Sequence, residues 1–273
     1  MKRLVFLLLF LVSWPSFAQR LFDVEIILFK RNQDPATVNE HWPEKLVDID
    51  YANSISLSDK AALRKRGITL LPQNQWELNS EYQKLRNHAG FTPLVHMAWR
   101  QGDGARPYMP KLRLSAGKNW ADMFRPDGSS LNAAPLDPAY DAAHSTGGLF
   151  ELDGILRVYV QHYLFLETDM VLREPSTREV LVKVSDDIPA LPGTETNEQG
   201  APVTEVGNTA AQPETVNSNV QFGGLQEIEK TYRTESVLQD YAFKQKRRMR
   251  SGETHYLDHP LMGMVIQVRK VQQ

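Results

Sequence analysis

The chain has 273 residues, with 41% apolar and 23% charged side chains and a formal net charge of −2. These are ordinary globular values, and they exclude wholesale disorder, a fibrous repeat and a multi-pass membrane protein. Near-neutrality argues against nucleic acid as a partner, since phosphate binding needs a basic excess; the absence of cysteine excludes disulfides, thiolate metal sites, cysteine nucleophiles and lipid attachment through an N-terminal cysteine.

Lys2 and Arg3 precede an apolar run from Leu4 to Val12, and Ser16-Phe17-Ala18 has small residues at both outer positions. This is the order of a secretory signal peptide, and the run is too short to span a bilayer, which takes roughly 20 residues. The expectation is a signal at residues 1–18 and a soluble periplasmic protein, residues 19–273, with no stable membrane anchor after cleavage.

Residues 22–30 read as a strand, with Phe22, Val24, Ile26 and Leu28 on one face and Asp23 and Glu25 on the other. Ser58 is placed to cap a short helix ended by Gly67. A second helix follows, capped by Ser80, with Leu78, Tyr82, Leu85 and Ala89 at helical spacing and Gly90 at its stop. Thr92–Arg100 is a strand with Val95, Met97 and Trp99 on one face. Residues 101–148 are rich in Gly, Pro, Asp and Asn and read as a long loop-dominated excursion interrupted by strand-like Lys111–Leu114. The alternation is longest at 155–166, where Leu156, Val158, Val160, His162, Leu164 and Leu166 oppose Arg157, Tyr159, Gln161, Tyr163 and Phe165. Glu174-Pro-Ser-Thr177 reads as the turn to a short strand at Val180, Val182 and Val184. Residues 186–221 lack lysine and arginine and are dominated by Pro, Thr, Glu, Asn, Gln, Ala and Gly, the composition of a flexible acidic insertion. The tail, residues 222–273, is too short to fold alone. Its last strand, Leu261–Val268, is expected to complete the sheet begun at residue 22. The fold class is α+β, a mainly antiparallel sheet with a few helices and long loops, in a single domain over 19–273.

Gly-x-Ser-x-Gly, Walker, Gly-x-Gly-x-x-Gly and His-Glu-x-x-His signatures are absent from the sequence. Ser115-Ala-Gly-Lys118 imitates the Ser-x-x-Lys of penicillin-recognising enzymes, but the serine ends a strand-like run instead of opening a helix, so the lysine does not come one turn above it. The chemically densest segment is Arg247-Arg-Met-Arg-Ser-Gly-Glu-Thr-His-Tyr-Leu-Asp-His-Pro260, which reads as a strand, a turn and the final strand. Two readings stay open for it. Arg247, Arg248 and Arg250 can grip carboxylates with paired N–H donors while His255 and Tyr256 add a ring surface. Alternatively the segment is a solvated strand in which His255 and Asp258 fix a tight turn. A metal site on His255, Asp258 and His259 would need a helical segment, which Gly252 and Pro260 break, and none is expected, nor any cofactor. Trp42 and Trp120 lie in loop-like stretches and are the candidates for a sugar-stacking platform, whereas Trp99 reads as core. His162 and His96 read as hydrogen-bonded core histidines.

Several blocks together resemble the CsiV family of periplasmic peptidoglycan-binding proteins: Asp23-Val-Glu-Ile-Ile-Leu-Phe-Lys30, Thr92-Pro-Leu-Val-His-Met-Ala-Trp-Arg-Gln101, Leu152-Asp-Gly154, and Arg247–Pro260 with Gly263 and Val265 after it. The resemblance implies a non-enzymatic protein that binds the cell wall and supports its synthesis by acting with the outer-membrane lipoprotein activator of a class A penicillin-binding protein. Assigning the ligand to Arg247, Arg248, Arg250, His255, Tyr256, Trp42 and Trp120 is an inference from their chemistry. The alternatives are a wall hydrolase using His255, Asp258 and His259, or a protein-interaction module without glycan affinity.

Overall fold

A computed structural model of the chain describes residues 20–38, 42, 47–144, 148–181 and 232–272. The expected signal peptide at 1–18, the expected acidic insertion at 186–221 and the strand positions Val182 and Val184 lie outside the described residues. The chain divides into two compact units, residues 1–177 with 236–273, and residues 178–235. In the second unit the described residues hold ion pairs from Glu235 to Arg178 (3.4 Å) and to Arg233.

The strands are β1 (Leu21–Arg31), β2 (Ser54–Ser56), β3 (Thr69–Leu70), β4 (Phe91–Gly102), β5 (Lys111–Asn119), β6 (Phe150–Gln161), β7 (Tyr163–Leu181), β8 (Tyr232–Met249), β9 (Thr254–Asp258) and β10 (Met262–Lys270). Among the described residues three helices join them: α1 (Lys60–Lys65), α2 (Asn79–Asn87) and α3 (Pro138–His144). The architecture is α+β with mainly antiparallel sheets, and the described strands form two, in the orders β3–β4–β1–β10–β9 and β2–β5–β6–β7–β8. The tail joins the first sheet directly: β10 runs antiparallel to β1 from Phe22 opposite Lys270 to Lys30 opposite Met262.

The alternating residues of β1 explain how the sheets associate. Phe22, Val24, Ile26 and Leu28 are buried with Trp99, Met264, Ile266 and Val268 of their own sheet. From the other sheet they meet Leu112, Leu114, Leu156, Val158, Leu166, Met170 and Phe243, so the sheets close face to face over one core. The reverse side of β1 is covered as well. Ile27 and Phe29 pack with Leu78 under Tyr82 and Leu85, the predicted apolar face of α2. The caps differ from expectation by one residue or more. Asp59, not Ser58, accepts the N–H groups of Ala61 and Ala62 at α1, and α2 has no side-chain cap of its own at Leu78.

The hairpin is placed differently from the sequence expectation. The alternation over 155–166 is not one strand: it folds back at His162, whose φ is +59°. Every pair of β6 and β7, from Gln161 opposite Tyr163 to Leu152 opposite Leu172, is symmetric about that residue. Even-numbered residues therefore stay on the core face through the reversal, and the alternation passes through the turn unbroken. His162 is consequently exposed at the tip and not a core histidine. Glu174-Pro-Ser-Thr177 lies inside β7. Proline is tolerated there because β6 begins at Phe150 and does not reach the position opposite Pro175.

The sheets are also clamped at one end. Lys30, the last inward position of β1, reaches across to Glu151 of β6 at 2.6 Å and Glu174 of β7 at 3.1 Å. Burial lowers its proton affinity, but the two carboxylates outweigh this and raise it. Lys30→Ala leaves two part-buried carboxylates facing each other and is expected to cost about 3 kcal/mol in urea unfolding; a cost below about 1 kcal/mol would show that solvent replaces the clamp.

Candidate functional site

The outer face of the second sheet carries the most concentrated chemistry among the described residues. On the β6–β7 hairpin the odd-numbered residues face outward in rungs: Gln161 with Tyr163, Tyr159 with Phe165, Arg157 with Glu167, Ile155 with Asp169. The Tyr159 and Phe165 rings stack with centroids 5.4 Å apart and an interplanar angle of 22°. β8 lies beside β7 in the sheet and presents cations at three successive outward positions, Lys244, Lys246 and Arg248. Arg248 lies over the Tyr163 ring at 3.4 Å, Lys246 over the Phe165 ring at 5.7 Å, and Lys244 pairs with Asp169 at 2.9 Å. Strand periodicity sets this arrangement: residues two apart project from the same side about 7 Å from one another.

Glu167 is the hub. Both its oxygens accept from Arg106 Nε at 2.9 Å, and Oε1 accepts from the Tyr159 hydroxyl at 3.0 Å. Lys246 stands at 3.5 Å and Arg157 at 4.0 Å. Burial raises the carboxyl's proton affinity, but the Arg106 and Tyr159 hydrogen bonds and the charges of Arg106 and Lys246 prevail, and Glu167 is held below the ordinary carboxylate range. Beside it opens a groove of about 500 Å³. Arg106, Lys111, Arg157, Lys244 and Lys246 line it against Asp50, Glu167 and Asp169, over a floor that includes Ile155 and Leu156. Cations therefore exceed anions here, although the whole chain is acidic by two charges. Such a surface attracts an anionic ligand and offers N–H donors in fixed positions.

A model of the family described as peptidoglycan-binding protein, CsiV, matches residues 3–271. The chain belongs to the CsiV family. No curated protein and no solved structure matches it.

In this CsiV family member the seven residues singled out by sequence do not meet on one surface. Arg248 lies on the same outward row as Lys244 and Lys246, beside the groove and over Tyr163. Arg247 is exposed on the alternate side of β8, and Arg250 is exposed in the β8–β9 turn, 3.5 Å from Glu253. His255 holds that turn: its Nε2 lies 3.0 Å from the Arg250 N–H and 3.2 Å from the Arg250 carbonyl oxygen. Tyr256 faces away from the second sheet. Its ring stacks on Phe29 at 6.3 Å, and its hydroxyl lies between Arg31 (2.7 Å) and Asp258 (2.8 Å). Trp42 is half-buried, edge-on to Tyr241 at 5.0 Å and 5.3 Å from the His259 ring, and Trp120 is half-buried beside Phe124, Leu149 and Leu238. Neither indole stands free as a flat platform.

The remaining candidates resolve individually. His255 and Asp258 fall on opposite faces of β9, and no group of three metal-ligating side chains occurs among the described residues. Ser115 lies on β5 and donates to Asp153 at 3.0 Å, while Gly117 breaks the run to Lys118 with a φ of +77°. His96 is a core histidine as expected, with a side chain 6% exposed and Nε2 2.9 Å from Glu25. Sequence reasoning missed Arg106, Arg157, Glu167, Lys244 and Lys246. The available signal was the outward set of the long alternation: Arg157, Tyr159, Tyr163 and Phe165 are too aromatic and too basic for an ordinary solvated face.

Proposed function

We propose that this protein binds peptidoglycan in the periplasm through the outer groove of its second sheet. In this reading it supports wall synthesis by acting with the outer-membrane lipoprotein activator of a class A penicillin-binding protein. Membership of a family described as peptidoglycan-binding supports the ligand, and the secretory character of residues 1–18 supports the compartment. The observation that carries the location is the row of Lys244, Lys246 and Arg248 standing over Asp169, Phe165 and Tyr163. It binds without cleaving. The groove offers donors and rings, and Glu167, its most embedded carboxylate, is tied up by Arg106 and Tyr159 and is poorly suited to act as a general acid.

The chain lacking residues 1–18 is expected to sediment with purified sacculi. The double variant Lys246→Glu, Arg248→Glu should remain largely in the supernatant, a loss of about tenfold or more in affinity, because two charge-assisted contacts become repulsive. Its melting temperature should change little, since both side chains are exposed. Failure of the unaltered protein to sediment at low salt overturns the reading; capture of the lipoprotein activator in that case would leave a protein-interaction module. Altered muropeptide profiles after incubation with sacculi would instead identify a hydrolase.

A further inference from the structure

Resting on the peptidoglycan reading, we infer that the groove recognises the free carboxylates of the wall's stem peptides and not its sugar rings. The polymer offers two chemistries: N-acetylated sugars, which are uncharged along the glycan, and short peptides, which carry its carboxylates. The groove is built for the second. Five cations, Arg106, Lys111, Arg157, Lys244 and Lys246, line it with three carboxylates, Asp50, Glu167 and Asp169, and Arg248 continues the outward row over Tyr163. The surplus is local, since the whole chain is net acidic.

The aromatic rings are already in use. Arg248 covers Tyr163 at 3.4 Å, Lys246 stands over Phe165, and Tyr159 stacks against the same Phe165 ring. A sugar laid on these faces would have to displace the cations. The rings instead hold the cationic groups in place and lower the entropy lost when an anion arrives. Glu167 marks the position such an anion would neighbour. Among the described residues Arg106 and Tyr159 donate hydrogen bonds to it, whereas Arg157 at 4.0 Å and Lys246 at 3.5 Å face it at ion-pair distance. Arg157 Nε is buried without a hydrogen-bond partner among the described residues. A guanidinium part-removed from water and not fully paired gains more from a carboxylate than one in solvent. A ligand carboxylate entering beside Glu167 reaches Arg157 and Lys246 together and reduces the surplus.

Titration calorimetry separates the possibilities with three probes: a stem tetrapeptide with free carboxylates, the same peptide with its carboxyl groups amidated, and an uncharged N-acetylglucosamine tetramer. The free peptide is expected to bind. Amidation should weaken it by about tenfold or more, the equivalent of losing one charge-assisted contact, and the sugar tetramer should not bind. Lys246→Gln and Arg157→Gln should each weaken the free peptide and leave the amidated one unaffected; Lys246 is exposed, so that variant keeps the test informative if Arg157→Gln unfolds. Equal binding of the free and amidated peptides, or saturable binding of the sugar tetramer, overturns the carboxylate assignment while sacculus sedimentation stands. Absence of sedimentation overturns the peptidoglycan reading itself.

Discussion

Replacing Glu25 with alanine is expected to destabilise the protein by about 3–5 kcal/mol, the range for removing one partner of a buried charge network. Glu25 lies on the side of β1 away from the main core and is fully buried. Its carboxylate accepts from the backbone N–H groups of Glu77 at 2.7 Å and Leu78 at 2.9 Å, and from Arg269 Nη1 at 3.0 Å; His96 Nε2 lies 2.9 Å away. This explains why α2 lacks a cap of its own. A carboxylate from the sheet meets the N–H groups just before Asn79 and places negative charge at the helix's positive end. The alanine variant strands those donors together with Arg269, between the sheet and the helix that covers Ile27 and Phe29.

The same site makes stability depend on pH. Burial raises the proton affinity of Glu25, but His96, the two backbone donors and Arg269 outweigh it, so the folded value lies below the ordinary 4.5. A carboxylate with a depressed folded value stabilises fully above its unfolded value, and that contribution is lost as pH falls through the folded one. Urea midpoints measured from pH 6 downward should therefore fall below about pH 4.5 in the unaltered protein. They should fall less steeply in Glu25→Gln, which keeps the shape and removes the titration. Parallel pH curves for the two proteins would show that other carboxylates control acid unfolding.

How far the sequence could be read depends on whether the relevant pattern is local. β1, β4 and β10 follow from alternation because each buries one face against the opposite sheet. The apolar positions of α2 follow from spacing because Leu78, Tyr82 and Leu85 share one contact surface. The hairpin tip was hidden because a reversal symmetric about His162 preserves parity, so nothing in the alternation distinguishes it from a straight strand. Most of β8, upstream of the strand end read at Arg247, was hidden because it is an edge strand whose outward residues are mostly polar: Val237, Tyr241, Phe243 and Met249 are its inward positions, spread among lysine, arginine and glutamine. The groove was hidden for a third reason. Arg106, Arg157, Glu167 and Lys246 come from four separated segments and meet only through the pairing of β6 with β7 and the placement of β8 at the edge. The basic run near Arg247 was visible, but strand alternation sends Arg248 to the outward row beside the groove and its neighbour Arg247 to the other side of the strand.

Gly154→Ala is expected to be the most disruptive small substitution in the hairpin, costing about 4 kcal/mol or more, the range of exceptional single-residue effects. Gly154 has a φ of +153°, and a Cβ there would stand 2.5 Å from Met170 Cα and 2.6 Å from the Asp169 carbonyl oxygen. Both obstacles are backbone, so no side-chain rotation relieves them; β6 and β7 must separate or shift. The neighbouring rungs are Ile155 with Asp169 and Arg157 with Glu167, the floor and hub of the groove. The substitution should therefore reduce sacculus sedimentation as well as stability. Gly252, in the β8–β9 turn, supplies the control. Its φ is +86°, yet an added Cβ would meet nothing within 4 Å, so Gly252→Ala carries only the backbone preference, about 1 kcal/mol. Thermal melts of the two variants separate steric exclusion between strands from simple conformational strain. Similar losses in both would mean that the hairpin accommodates a methyl group at position 154, and the groove's dependence on that close approach would then be refuted.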